Sequence, residues 1–190
     1  MPIFSGHVAA GVDDYDIEVV AHPDVTAHTN TVIDARRIRN AGTGNITEDT
    51  TAYVDLDTSG IDAGWTINSA TLRWYTSSYS TTPKADPEGS TIEMWNGSSW
   101  STIQTVAVDR VVGWESYVLD ETERGYINDA GATRFNFQIS NSETWGSVRA
   151  WTLRSYEHTA SNGYSVFLEV DYTEPGVGGR RAASRFIVCS

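Results

Sequence analysis

Residue types that do covalent chemistry are sparse in this chain, and their spacing suits none of the common reactions. His7, His22, His28 and His158 show no zinc-ligand pattern such as H-E-x-x-H. No G-x-S-x-G nucleophile motif occurs, and Gly42-x-Gly44 lacks the helix that a phosphate-binding loop needs. The lone cysteine, Cys189, excludes an internal disulfide; it could link two chains, and a free thiol without a role is the simpler account. Carboxylates cluster at Asp13, Asp14 and Asp16, at Asp55 and Asp57, and at Asp120, Glu121 and Glu123. A glycosidase needs two carboxylates facing each other across a cleft. Each cluster has a plainer reading, as a solvated strand face, a turn and a helix cap respectively. The oxygen-rich loops Asp57-Thr58-Ser59 and Asp13-Asp14-Asp16 would suit a structural calcium ion, although the EF-hand pattern is missing. The expectation is a protein that is not an enzyme and has no cofactor beyond such an ion.

Recognition chemistry is better represented. The chain has 7 Trp and 9 Tyr. Trp74 falls on the inward side of an alternating run, whereas Trp65, Trp95, Trp100, Trp114 and Trp145 stand near turns. Exposed aromatic rings stack on sugars, which makes Trp95, Trp100 and Trp145 a candidate carbohydrate platform. Half-buried Trp at a subunit interface explains the same placement and is the preferred reading. A dry apolar surface around these residues would favour the interface; a groove flanked by Asn, Asp and Arg would favour sugar. At the other end, Pro175 to Ser190 reads as a Gly-rich linker and a basic, apolar tip. Arg180, Arg181 and Arg185 would meet an acidic neighbour, and Phe186, Ile187 and Val188 would add a strand to its sheet edge.

Thirteen Lys+Arg against 25 Asp+Glu leave a net charge of −12 over 190 residues. Nucleic acid and anionic membranes are poor partners for such a surface, since phosphate binding needs clustered cations. No run approaches the ~18 apolar residues of a membrane span. The opening MPIFSGHVAAGVDDYD has neither a basic n-region nor a long apolar h-region, so no signal peptide is expected.

The elements that would hold these residues are strands. From Ala70, the residues Ala70, Leu72 and Trp74 alternate with Thr71, Arg73 and Tyr75; Val166, Leu168, Val170 and Tyr172 share a face in the same way. Thr51 to Asp57, Thr91 to Trp95, Trp100 to Val108, Arg134 to Ile139 and Val148 to Tyr156 are further strand candidates, and Asp13 to Val20 and Thr29 to Arg39 are weaker ones. Asn96-Gly97 is a hairpin turn signal. Ser77 to Ser90, with two prolines and a glycine, reads as a surface loop. Asp120 and Glu123 have capping-box spacing for a short helix of at most two turns. The expected architecture is an all-β antiparallel sandwich, of jelly-roll type, with one short helix. Its parts would be an N-terminal arm with the first strands (1–44), the jelly roll (45–173) and a flexible C-terminal arm (174–190).

The segments Glu48 to Val54, Asp57 to Arg73, Leu119 to Phe137 and Phe167 to Thr173 together resemble the DNRLRE-type jelly-roll domains, over roughly residues 45–173. Asp57-Thr58-Ser59-Gly60 matches the family's pattern, and Asp62 stands where the family usually has Pro. The resemblance implies one of two settings. Some such domains are modules of secreted bacterial surface or carbohydrate-active proteins, a few of which bind polysaccharide; others are structural proteins of tailed bacteriophages. Here the domain is nearly the whole chain, which favours the phage setting. The expectation is therefore a virion protein made in the host cytoplasm. It would be a capsid decoration or cement protein that forms a homo-oligomer and bridges major capsid protein subunits. The alternatives are a tail, collar or fibre component, or an extracellular carbohydrate-binding module.

Overall fold

The computed structural model describes residues 14–18, 25–27, 32–39, 46–61, 64–82, 90–106, 112–129, 131–139, 148–154, 166–173 and 182–188. Its strands are β1 (Asp14–Glu18), β2 (Val25–Ala27), β3 (Val32–Arg39), β4 (Ile46–Asp57), β5 (Thr66–Thr82), β6 (Ser90–Trp95), β7 (Trp100–Val106), β8 (Gly113–Val118), β9 (Ala132–Ile139), β10 (Val148–Arg154), β11 (Phe167–Thr173) and β12 (Ala182–Val188). One helical turn, α1 (Glu121–Arg124), lies between β8 and β9. The all-β antiparallel sandwich expected from the sequence is what the chain forms.

β5 organises both layers. Along Thr66–Arg73 it pairs with β11, and β12 follows outside β11; on its other side it pairs with β8 through Thr71–Thr76. Beyond Thr76 its partner is β10, which continues the sheet through β3, β4, β9, β6 and β7. Seventeen residues allow one strand to serve two layers. β1 pairs with β4, and β3 with both β4 and β10, so residues 14–18 and 32–39 are part of the sandwich. β12 is hydrogen-bonded to the chain's own β11, with Arg185 opposite Val170 and Phe186 opposite Glu169.

Period-two alternation sets the core. Ala70, Leu72 and Trp74 on β5 are buried, as are Ala52, Val54 and Leu56 on β4, Ile92 and Met94 on β6, and Phe135, Phe137 and Ile139 on β9. Val166, Leu168, Val170 and Tyr172 share the inner face at β11. The layers meet at three rings. Trp74 of β5 lies edge-on to Phe137 of β9 at 5.9 Å and to Trp151 of β10 at 6.5 Å, and Phe137 and Trp151 are 5.2 Å apart. Each such pair contributes about 0.5–1.5 kcal/mol beyond area burial.

The loop expected from Ser77 is a correction. β5 runs on to Thr82, because β10 supplies backbone partners from Thr76 to Thr82. Ser, Thr and Tyr are compatible with a strand once a neighbour pairs it; the polar run hid the pairing. The capped helix has four residues, within the two turns expected.

Candidate functional site

Three connections converge at one end of the β4-β9-β6-β7 layer. The first is the tight turn from Asn96 to Ser99 between β6 and β7. Asn96 Oδ1 accepts from the backbone N–H groups of Ser98 (3.0 Å) and Ser99 (2.9 Å), while Asn96 N–H donates to the Ser99 carbonyl (3.0 Å). Gly97 sits at φ +95°, where a side chain would be strained. The turn is thus held by its own side chain before any ligand arrives.

The second connection is α1 with the residues after it. Its capping box is complete: Glu123 N–H donates to Asp120 Oδ1 (2.8 Å), and Asp120 N–H donates to Glu123 Oε2 (2.7 Å). Glu123 Oε1 also accepts from the Tyr117 hydroxyl at 3.0 Å. Ile127 is buried in the core and pins the segment, leaving Tyr126 half-buried beside it. Burial, with the hydrogen bond to Glu123 and the charges of Glu123 and Asp120, pushes the Tyr117 phenol up to about 12. Folding therefore favours the protonated phenol. Its contribution is complete below the ordinary value near ~10 and is lost as pH rises through about 12. In a spectrophotometric titration of tyrosinate, an ionisation step close to pH 12 is expected from Tyr117. Tyr117→Phe should remove that step and flatten the fall of stability between those two pH values; an unchanged titration would refute the assignment.

The third connection is a tie from the end of β4. The Thr58 side chain is fully buried, and its hydroxyl lies against the Asn128 carbonyl and within 2.8 Å of Thr133 Oγ1. Thr58 N–H donates to the Gly131 carbonyl at 2.9 Å, and Asn128 N–H donates to Thr133 Oγ1 at 3.0 Å. A hydroxyl has one proton to give. With Thr133 donating to Thr58 Oγ1, the Thr58 proton is shared between the Asn128 carbonyl, the shorter contact, and the Gly131 carbonyl at 2.9 Å. The loop carrying Asn128 and Asp129 is thereby fixed to β4.

Between the turn and this loop lies a cleft of about 550 Å³. Its lining includes Trp95, Asn96, Tyr126, Asn128, Asp129 and Arg134. Arg134 comes from the outward face of β9, where its Nε lies 3.3 Å from Asp55 Oδ2 on β4. The guanidinium remains half exposed. Burial raises the Asp55 carboxyl above its ordinary value, and the Arg134 charge draws it part of the way back.

Beside the cleft, the same sheet face carries a second set of groups. Trp100 lies 5.4 Å from Trp95, with the rings at 67°, and 5.4 Å from Tyr53, with the rings at 58°. Glu93 Oε2 accepts from Asn136 Nδ2 (2.9 Å) and from Gln138 Nε2 (2.6 Å). These residues come from four neighbouring strands of one layer.

Of the predicted platform, Trp95 and Trp100 are brought together, and Trp145 lies outside the described residues. Their steep ring angle makes a wall rather than a flat stacking surface. Trp95 lines the cleft; Tyr126, Asn128, Asp129 and Arg134 were not singled out as binding residues from sequence. Their signal was faint: Arg134, Asn136 and Gln138 form a polar outward row on a strand otherwise made for the core. Of the C-terminal residues expected to reach a neighbour, Arg185, Phe186, Ile187 and Val188 lie on β12, and Arg180 and Arg181 lie outside the described residues. No group of three or more His, Cys, Asp or Glu side chains placed to hold a metal ion occurs among the described residues. The chain matches no protein-family model and no curated protein.

Proposed function

We propose that this chain is a non-enzymatic saccharide-binding β-sandwich whose ligand sits in the cleft between the Asn96–Ser99 turn and the loop after α1. The observation that carries this reading is the lining itself. Two aromatic residues, Trp95 and Tyr126, line one concave space together with the polar residues Asn128, Asp129 and Arg134. Pyranose rings present apolar C–H faces and a rim of hydroxyls, and they need this pairing of aromatic surface with convergent hydrogen-bonding groups. The lining holds one carboxylate and one guanidinium, which is a recognition set rather than the paired carboxylates of hydrolysis. With a net charge of −12, a neutral glycan is the better ligand than a polyanion.

The test is affinity electrophoresis of the full chain through a panel of neutral polysaccharides, followed by calorimetry with the best oligosaccharide. Trp95→Ala should weaken binding by ~tenfold or more, about 1.4 kcal/mol, with its circular dichroism unchanged. Failure of every neutral polysaccharide to retard the chain would sink the proposal.

A second reading is the decoration or cement protein of a phage capsid, or a tail, collar or fibre component. It is favoured by a different observation: exposed Val112, Trp114 and Val118 are concentrated at β8, the kind of apolar surface that assembly covers. A virion component cosediments with intact particles in a density gradient, and absence from those particles would dismiss this reading. The two readings are compatible in a particle-surface protein that meets a glycan.

A further inference from the structure

Two charged residues of the cleft keep hydrogen-bonding capacity that the fold does not use. Arg134 leaves β9 on its outward face and turns its Nε to Asp55 Oδ2 at 3.3 Å. A guanidinium is a planar fork, so an ion pair made at Nε leaves the N–H groups of its two terminal nitrogens to be satisfied. The Arg134 side chain is 51 % exposed and has no further partner among the described residues. Strand register places it. β9 lies between β4 and β6, with Arg134 opposite Asp55 on one side and Phe135 opposite Met94 on the other. Continuing the second register by one step sets Trp95 across from Arg134. The guanidinium thus stands between the carboxylate that fixes its stem and an aromatic residue that lines the cleft.

Asp129 is the complementary group. It is exposed on the loop after α1 and lines the same cleft. The segment that carries it is anchored, because Ile127 is buried and the Thr58 hydroxyl meets the Asn128 carbonyl. The Asp129 side chain has no partner among the described residues. A guanidinium only donates and a carboxylate only accepts. An anionic ligand would suit Arg134 and be repelled by Asp129 and by the net charge of −12. An ammonium group would suit Asp129 and be repelled by Arg134. A hydroxyl donates and accepts at once, and two neighbouring hydroxyls match the fork of Arg134 while keeping their own protons for Asp129. In such a chain each hydrogen bond polarises the next.

We infer, resting on the saccharide reading of the cleft, that its ligand is a neutral glycan recognised through a pair of adjacent ring hydroxyls. Arg134 donates to both oxygens, and Asp129 accepts from the hydroxyls so polarised. Glycans linked through carbons one and four keep adjacent free hydroxyls, on carbons two and three, in each backbone unit. Glycans linked through carbons one and three have none along the backbone, because the linkage occupies the carbon between the two remaining ring hydroxyls. The cleft therefore selects by linkage: a site built to hydrogen-bond its ligand rejects an analogue that leaves the site's polar groups unpaired.

Affinity electrophoresis of the full chain tests this. The probes are glycogen, galactomannan and xyloglucan, linked through carbons one and four, and laminarin, linked through carbons one and three. At least one of the first three should retard the chain, and laminarin should act ~tenfold more weakly or not at all. In calorimetry with the retarding polysaccharide, Arg134→Lys, which keeps the charge and replaces the fork by one ammonium, should weaken binding by ~tenfold or more. Asp129→Asn, which retains one acceptor oxygen, should weaken it less. Both side chains are exposed, so circular dichroism should be unchanged. Laminarin acting as strongly as the other probes overturns the inference and leaves the saccharide reading standing; so does an Arg134→Lys variant that binds like the wild type. If none of the four probes retards the chain, the inference falls, and the wider neutral panel decides whether the saccharide reading falls with it.

Discussion

Trp74→Ala is expected to lower the unfolding free energy by about 3–5 kcal/mol, read as a shift of the urea midpoint. Trp74 is 2 % exposed and stands where β5 faces the other layer, edge-on to Phe137 and Trp151. Removing it opens a cavity between layers that cannot close without moving whole strands. It also removes one of the donors to the carboxylate that ends a hydrogen-bonded chain linking β10, β5 and β8. Trp151 Nε1 donates to Thr76 Oγ1 (3.0 Å), Thr76 donates to Glu115 Oε1 (2.6 Å), and Trp74 Nε1 donates to the same oxygen (3.2 Å). One carboxylate on β8 thereby joins β5 and β10. Glu115→Ala takes the acceptor from the fully buried Thr76 hydroxyl and should cost about 1–3 kcal/mol. Glu115→Gln retains a carbonyl oxygen at that place and should cost less. If alanine and glutamine were equally destabilising, charge or packing rather than this chain would be the cause.

Thr58→Val should destabilise the fold by about 1–3 kcal/mol and weaken saccharide binding as well, although Thr58 is no part of the cleft lining. Valine keeps the shape of threonine and removes the hydroxyl that meets the Asn128 carbonyl and Thr133 Oγ1. The Asn128 carbonyl then loses the side-chain donor that ties the Asn128–Asp129 wall of the cleft to β4. A looser wall must be ordered by the ligand, and that ordering reduces affinity. Thr58→Ser retains the hydroxyl and should recover most of both losses. A valine variant that unfolds earlier yet binds its glycan with unchanged affinity would show that Thr58 supports the fold alone.

Much of the fold was legible because strand burial is a local property. Ala70, Leu72 and Trp74 declare their face by alternating with Thr71, Arg73 and Tyr75, and all three are buried. Asn96-Gly97 declares its turn because glycine adopts positive φ without strain, and Gly97 does so. Asp120 and Glu123 declare a helix start because the two ends of a capping box are three residues apart. Each signal lies within a few residues of the structure it causes. The polar end of β5 shows where this fails: Ser77 to Thr82 carry no apolar alternation, and only β10, some 70 residues later in the chain, makes them a strand.

The cleft lies wholly on the tertiary side of that division. Trp95 was conspicuous in the sequence as an aromatic beside a turn, but nothing near it announced Tyr126, Asp129 or Arg134. They meet it because β9 pairs with both β4 and β6, which sets Arg134 next to Asp55 on one side and next to the Trp95 end of β6 on the other. Register decides which side chains share a face, and register between distant strands is fixed by how the two inner faces pack.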